Sequence, residues 1–224
     1  MSEKMTTGTQ RTRAKDSVIP RAVESHPSVS AKDGTRFIPP HGGYENLLSF
    51  QKARIVYDGT VRFCERFVDR RSRTTDQMVQ AARSGKQNIL EGSQASGTSK
   101  ETELKLTNVA RASLEELLED YRDFLRVRGL VEWGKEHAYT RRLREINRRP
   151  GADYETFRKG IEHPDPAIAA NVMIGLIKLT NFLLDQQLRR LEQDFLMEGG
   201  LRERMTRARL AARSQQCRGD PRGS

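Results

Sequence analysis

From Tyr44 onward, apolar positions recur at alternating intervals of three and four, and nowhere at the interval of two that a strand requires. Leu47, Phe50, Arg54, Tyr57, Val61, Cys64 and Val68 trace the first seam, broken only by Arg54. Met78, Ala82, Gly85 and Ile89 trace a second, which opens on a capping box of Thr74 and Gln77 and stops at Gly92. After the polar run Ser93 to Ser99, Thr98 and Glu101 form another capping box. A third seam follows it, through Leu104, Thr107, Arg111, Leu114, Leu118, Tyr121 and Leu125, and Gly129 closes it. Two shorter helical pieces, around His137 to Ile146 and Tyr154 to Ile161, read as an insertion, with Pro150 and Gly151 between them. Asp165 and Pro166 then supply an N-cap and a first-turn proline. The fourth long helix carries two overlapping stripes, Val172, Leu176, Leu179, Leu183 and Ile177, Leu184, Leu188, Leu191, Phe195. A face that broad belongs in the middle of the contacts rather than on their rim.

Four long amphipathic helices predict an all-α fold, an antiparallel up-down four-helix bundle. The expected helices span about 44–68, 74–92, 99–128 and 166–198, with the insertion at 134–163. Residues 1–43 are rich in Ser, Thr, Pro, Gly and charge and have no period, so they bury too little surface to offset chain entropy; a disordered basic arm is expected. Residues 199–224 form a basic, partly helical extension, with Arg202, Arg204, Arg207, Arg209, Arg213, Arg218 and Arg222 against only Glu203 and Asp220.

Charge changes the picture more than composition does. The net charge is +10 and the 40 basic residues comprise 30 Arg and 10 Lys. Guanidinium pairs bidentately with phosphate and stacks on bases, which favours a polyanionic partner; codon bias in a GC-rich genome is the other reading of the same excess. Two cysteines without metal-ligand spacing fit a reducing cytoplasm. No apolar leader and no run near the roughly 18 residues of a membrane helix is expected.

The stretch Asn88, Ile89, Glu91, Gly92, followed by Ala110, Arg111, Ser113 and Glu116, resembles a motif of the four-helix-bundle protein family first noticed as reading frames within intervening sequences of bacterial large-subunit ribosomal RNA. Gln51, Lys52 and Ala53 sit where that family's opening helix would place them. The likeness covers about residues 44–133, and the C-terminal helix resembles a suffix found on a subgroup of these bundles. The chain departs from the family pattern at Val79, Gln80, Ser84, Gly85 and Lys86, and in its longer insertion. The resemblance implies a bacterial, non-enzymatic bundle that forms rings, as pentamers. One relative, the accessory variability protein of diversity-generating retroelements, associates with a reverse transcriptase and with RNA through its basic surface.

Ser84, Asn88 and Glu91 share a helix face by spacing, and Arg111 lies on the following antiparallel helix. With Ser113 and Glu116 they are expected to form a buried polar cluster that fixes the register of the hairpin rather than performing chemistry. No His has a Glu three residues before it, as a di-iron bundle would need, and "GLVEWGKE" ends in Glu136 where a phosphate loop needs Ser or Thr. No catalytic residue, metal or cofactor is expected. Nucleic-acid contact is assigned to Arg141, Arg142, Arg144, Arg148 and Arg149, with Arg202, Arg204, Arg207 and Arg209 as a second patch. Helix three is the acidic counterpart, with Glu115, Glu116, Glu119, Asp120 and Asp123. The expected function is non-specific RNA or DNA binding by a homo-oligomer accessory to another protein; the alternative is a protein-protein scaffold.

Overall fold

A computed structural model describes residues 42–147 and 151–218, and among them every regular element is a helix. A 3-10 turn at Tyr44–Asn46 leads into α1 (Leu48–Phe67), α2 (Arg73–Ala95) and α3 (Lys100–Val127). Two short helices, α4 (Ala138–Asn147) and α5 (Tyr154–Ile161), precede the long α6 (Pro166–Glu198) and α7 (Leu201–Arg218). α2 packs along α3, α3 along α6, and α1 against both α2 and α6. Apart from Gly42 and Gly43, the arm expected over 1–43 lies outside the described residues.

The helix termini sit where cap chemistry favours them, one or two places from the expected boxes. Ser72 rather than Thr74 caps α2, its hydroxyl accepting the Thr74 N–H at 3.2 Å. Ser99 rather than Thr98 caps α3, accepting from the Thr102 N–H at 3.1 Å. Asp165 caps α6 as the sequence indicated, accepting from the Ala167 N–H at 2.8 Å with Pro166 in the first turn. Gly92 does not stop α2, which runs on to Ala95. Its bare Cα instead admits the start of α3: a Cβ there would lie 3.4 Å from both the Glu103 carbonyl oxygen and Leu106 Cβ. Gly129 and Gly199 do end helices, with φ of 66° and 72° that an L side chain adopts only with strain.

The first seam is displaced. Arg54 is exposed and Tyr57 and Val61 are only half-buried, whereas Ala53, Val56, Thr60 and Phe63 are fully enclosed. α1 is flanked by α2 on one side and by α5 and α6 on the other, so its buried sector is wider than one stripe and has small residues at its middle. Cys64 lies 3.9 Å from the Met78 sulfur, and burial pushes its thiol up to about 12, which keeps it protonated and unreactive.

The expected insertion is only half external. α5 contributes Phe157 and Ile161 to the core, and Ile161 and Met173 meet over Gly59. A buried lysine ties α5 to α1: Lys52 donates to the Ala152 carbonyl at 2.7 Å and lies 5.1 Å from the Phe157 ring centroid. α4 remains outside, with no fully buried residue.

Contrary to the expectation of no membrane-length run, the helical stretch Pro166–Ser214 includes one 18-residue window long and apolar enough to cross a bilayer. Of that window, 61% is buried inside the protein. α6 touches α1, α3, α4 and α5, and a helix enclosed by four others must be apolar nearly all round, which accounts for the composition without a membrane.

Candidate nucleic-acid interface

The path from α3 to α4 is a fixed strap. After Gly129 the chain turns back, the Leu130 N–H bonding the Leu125 carbonyl at 2.9 Å. Asn171, buried on α6, then holds the next residues through its side chain. Its Nδ2 donates to the Val131 carbonyl at 3.0 Å and its Oδ1 accepts from the Trp133 N–H at 2.7 Å. Between these bonds the Glu132 carboxylate reaches Arg122 of α3 at 3.2 Å and also pairs with Lys178 of α6. Burial acts to raise the Glu132 carboxyl, but Lys178 and Arg122 outweigh it and hold it below the usual carboxylate range. Spacing does not reveal this clamp: Asn171 and Glu132 are ordinary polar residues until the fold puts α6 beneath the strap.

The strap delivers three aromatic rings to the surface at the start of α4. Trp133 and His137 have centroids 4.6 Å apart with planes 10° from parallel; Trp133 and Tyr139 are 5.1 Å apart at 21°. Immediately beyond them come Arg141, Arg142 and Arg144, all exposed. Arg142 pairs with Glu145 at 3.3 Å, while Arg141 and Arg144 have no ion-pair partner among the described residues. Arg148 and Arg149 lie outside the described residues. α4 is seated on α6 by Leu143, whose Cδ2 occupies the space a Cβ at Gly175 would need. The arginines therefore fan over the outward side of a small, docked helix, as a helix with one seated stripe must present them.

The second basic patch is of another kind. Arg202, Arg207 and Arg209 are exposed on α7, whose side chains from Met205 to Ser214 all face solvent. Arg204 is half-buried, with Nε and one terminal nitrogen enclosed and without a hydrogen-bond partner among the described residues. Leu196 and Met197, 81% and 84% exposed, share a cleft with Arg202, Glu203, Thr206 and Arg207 at the α6–α7 joint.

The polar cluster forms in part. Ser84 of α2 and Ser113 of α3 meet hydroxyl to hydroxyl at 3.0 Å, and Asn88 Nδ2 donates to the Ser84 carbonyl at 2.9 Å and to its hydroxyl at 3.1 Å. Arg111 and Glu91 do not join it. Arg111 Nε reaches Asp185 on α6 at 2.5 Å, and Glu91 is exposed. The reason is azimuth: Arg111 and Ser113 are two residues apart, so they point to nearly opposite flanks of α3, and only the Ser113 flank faces α2. Glu115 and Arg122 share the Arg111 flank and likewise bond α6 or the strap, Glu115 through Asn181 at 3.0 Å.

The acidity of α3 is partly cancelled along the helix itself, Glu119 pairing with Arg122 and Asp123 with Arg126. Glu116 and Asp120 instead line a groove of about 620 Å³ between α2 and α3, with Asp76 and Arg73 opposite. Burial, and then the like charges of Asp123 and Glu116, raise the Asp120 carboxyl. A carboxyl raised on folding binds its proton more tightly in the native state, so it lowers stability as pH rises from the ordinary carboxylate range through the folded value. Because Asp120 is only half-buried and its charge is largely screened by solvent, Asp120→Asn is accordingly expected to stabilise the protein at pH 7 by at most about 0.5 kcal/mol. The gain should shrink as pH falls below the carboxylate range; paired thermal melts at neutral and acidic pH measure it, and a gain independent of pH would contradict the assignment.

Comparison with protein-family models, curated protein sequences and solved structures finds no match to this chain.

Proposed function

We propose that this chain is a cytoplasmic, bacterial, non-enzymatic protein that binds RNA or DNA non-specifically as an accessory factor, in a homo-oligomer built on an antiparallel four-helix bundle of α1, α2, α3 and α6. The observation that carries the binding reading is the outward side of α4. Arg141 and Arg144 stand exposed without carboxylate partners among the described residues, on a helix docked to α6 and reached through a clamped strap. Exposed guanidinium groups free of internal pairing are what phosphate contact needs, and a fixed base limits the ordering entropy that binding costs. The bundle is supported by the cycle of contacts α1 to α2, α2 to α3, α3 to α6 and α6 to α1. The motif residues around Asn88 and Arg111 support placement with the ribosomal intervening-sequence bundles, and through them the oligomer.

The test is binding of labelled RNA and DNA across a salt series by the wild-type protein and by an Arg141→Gln, Arg142→Gln, Arg144→Gln variant. Each lost phosphate contact reduces the slope of log affinity against log salt by about 0.7–0.9, so the triple variant should flatten it by about 2. Affinity should fall by about tenfold or more at low salt. Unchanged slope would move the contact away from α4, and an absence of binding even at low salt would end the nucleic-acid reading. A protein-protein scaffold would then stand, for which the exposed Leu196 and Met197 beside the α7 arginines speak.

A further inference from the structure

We infer that the surface at the start of α4 selects unpaired nucleic-acid strands over duplexes by stacking bases on the exposed rings of His137 and Tyr139, which Trp133 backs from beneath; this rests on the nucleic-acid reading above. Phosphate contacts alone cannot make that choice, since both forms present phosphates. An accessible ring face can, because bases within a duplex are already stacked on each other and bases of a single strand are not.

The three rings have the geometry of a shelf. His137 and Tyr139 are 5.7 Å apart with planes 28° from parallel, close to the 4.6 and 5.1 Å that separate each from Trp133. In a column with Trp133 in the middle, the outer rings would be about twice the stacking distance apart. The near-equal triangle instead puts His137 and Tyr139 side by side on one side of the indole. Trp133 is half-buried and packs against the core, while His137 is exposed and Tyr139 is 57% exposed. Trp133 backs onto the core, while His137 and Tyr139 are turned outward beside a loop that carries the exposed Lys135 and Glu136. Lys135 lies within the shelf's own loop, and Arg141 follows one residue after Thr140, both exposed. The clamp by Asn171 and Glu132 fixes the backbone that carries the indole, so stacking loses little conformational freedom. Arg144, Lys178 and the exposed Phe182 line a cleft of about 400 Å³ where α4 meets α6.

Trp133 is the chain's single tryptophan, so its emission reports on this place alone. The experiment uses the full-length protein with oligothymidine and oligouridine of about 12 nucleotides, within the range one such site covers, and a mixed-sequence duplex of equal length at the same salt. The single strands are expected to bind about fivefold or more tightly than the duplex and to quench Trp133. Tyr139→Ala should weaken single-strand binding about fivefold to tenfold while changing duplex binding less than about twofold, and Tyr139→Phe should restore it. Tyr139 is exposed, so these variants keep the fold, and circular dichroism verifies that. Equal affinity for both forms, or a Tyr139→Ala variant indistinguishable from wild type while the α4 arginine variant still loses binding, would overturn the inference and leave the phosphate reading intact. No binding of either form would remove both, and would turn the shelf into a docking surface for protein.

Discussion

Phe63→Ala is expected to remove about 3–5 kcal/mol of stability, the largest loss of any single truncation proposed for this chain. Phe63 is fully buried on α1, and its ring contacts three others: Phe67 at 5.2 Å, Tyr121 at 4.9 Å and Phe124 at 4.8 Å between centroids. Truncation loses the transfer energy of the ring, the edge and tilted contacts, and the packing around the void. Collapse into the void is hindered because Tyr121 is itself tethered, its hydroxyl donating to Thr60 at 3.2 Å inside the core. For a domain of this size the melting temperature should fall by about 6–20 °C. Phe63→Leu, which keeps most of the volume, should cost far less. Urea titration separates the two: a midpoint shift at constant slope is the cavity effect, and a loss under about 1 kcal/mol would mean that α1 and α3 do not meet through this cluster.

Asn171→Leu should have the next largest effect, and its consequence is functional. The substitution removes the acceptor of the Trp133 N–H and the donor to the Val131 carbonyl, together with a bond to the Ala167 carbonyl at 2.9 Å within α6. Leucine has nearly the same size and keeps the site filled, so the loss comes from orphaned backbone groups, about 2–4 kcal/mol for two of them in a partly buried setting. The strap should loosen while the rest of the molecule stays folded. Trp133 emission should shift to the red, and amide exchange should rise at residues 131–133 without a matching rise in α2. Single-strand binding should fall although every arginine is intact, which separates the positioning of the shelf from its charge. Retained emission and retained binding would show that the ion pairs of Glu132 hold the strap without Asn171.

Residues that answer to local rules were legible in the sequence. The α6 cap of Asp165 and Pro166, the α5 span, and the stop at Gly129 each depend on a few neighbours. Ser84, Asn88 and Ser113 were found because i, i+4 spacing and a hairpin connection already place them near one another. Arg111 was misdirected for a reason that spacing cannot repair: its flank of α3 faces α6, and α6 lies far along the chain. The first seam failed similarly, since the burial of α1 depends on α5 and α6 as much as on its own pattern. Gly92 was read as punctuation when its use is to let two backbones approach.

The all-helical character, the approximate helix positions and the concentration of arginine in α4 and α7 were therefore set by the sequence itself, because hydrophobic period, caps and charge are properties of contiguous residues. Which flank of each helix is covered, and by what, was decided by tertiary structure alone. So was the function-bearing detail: Asn171 of α6 bonds the strap's backbone, the strap's own Glu132 pairs with Arg122 of α3 and Lys178 of α6, and Trp133, His137 and Tyr139 become a shelf only when that strap is held. Contacts between residues tens of positions apart depend on the relative placement of whole helices, and no periodicity within any one of them encodes it.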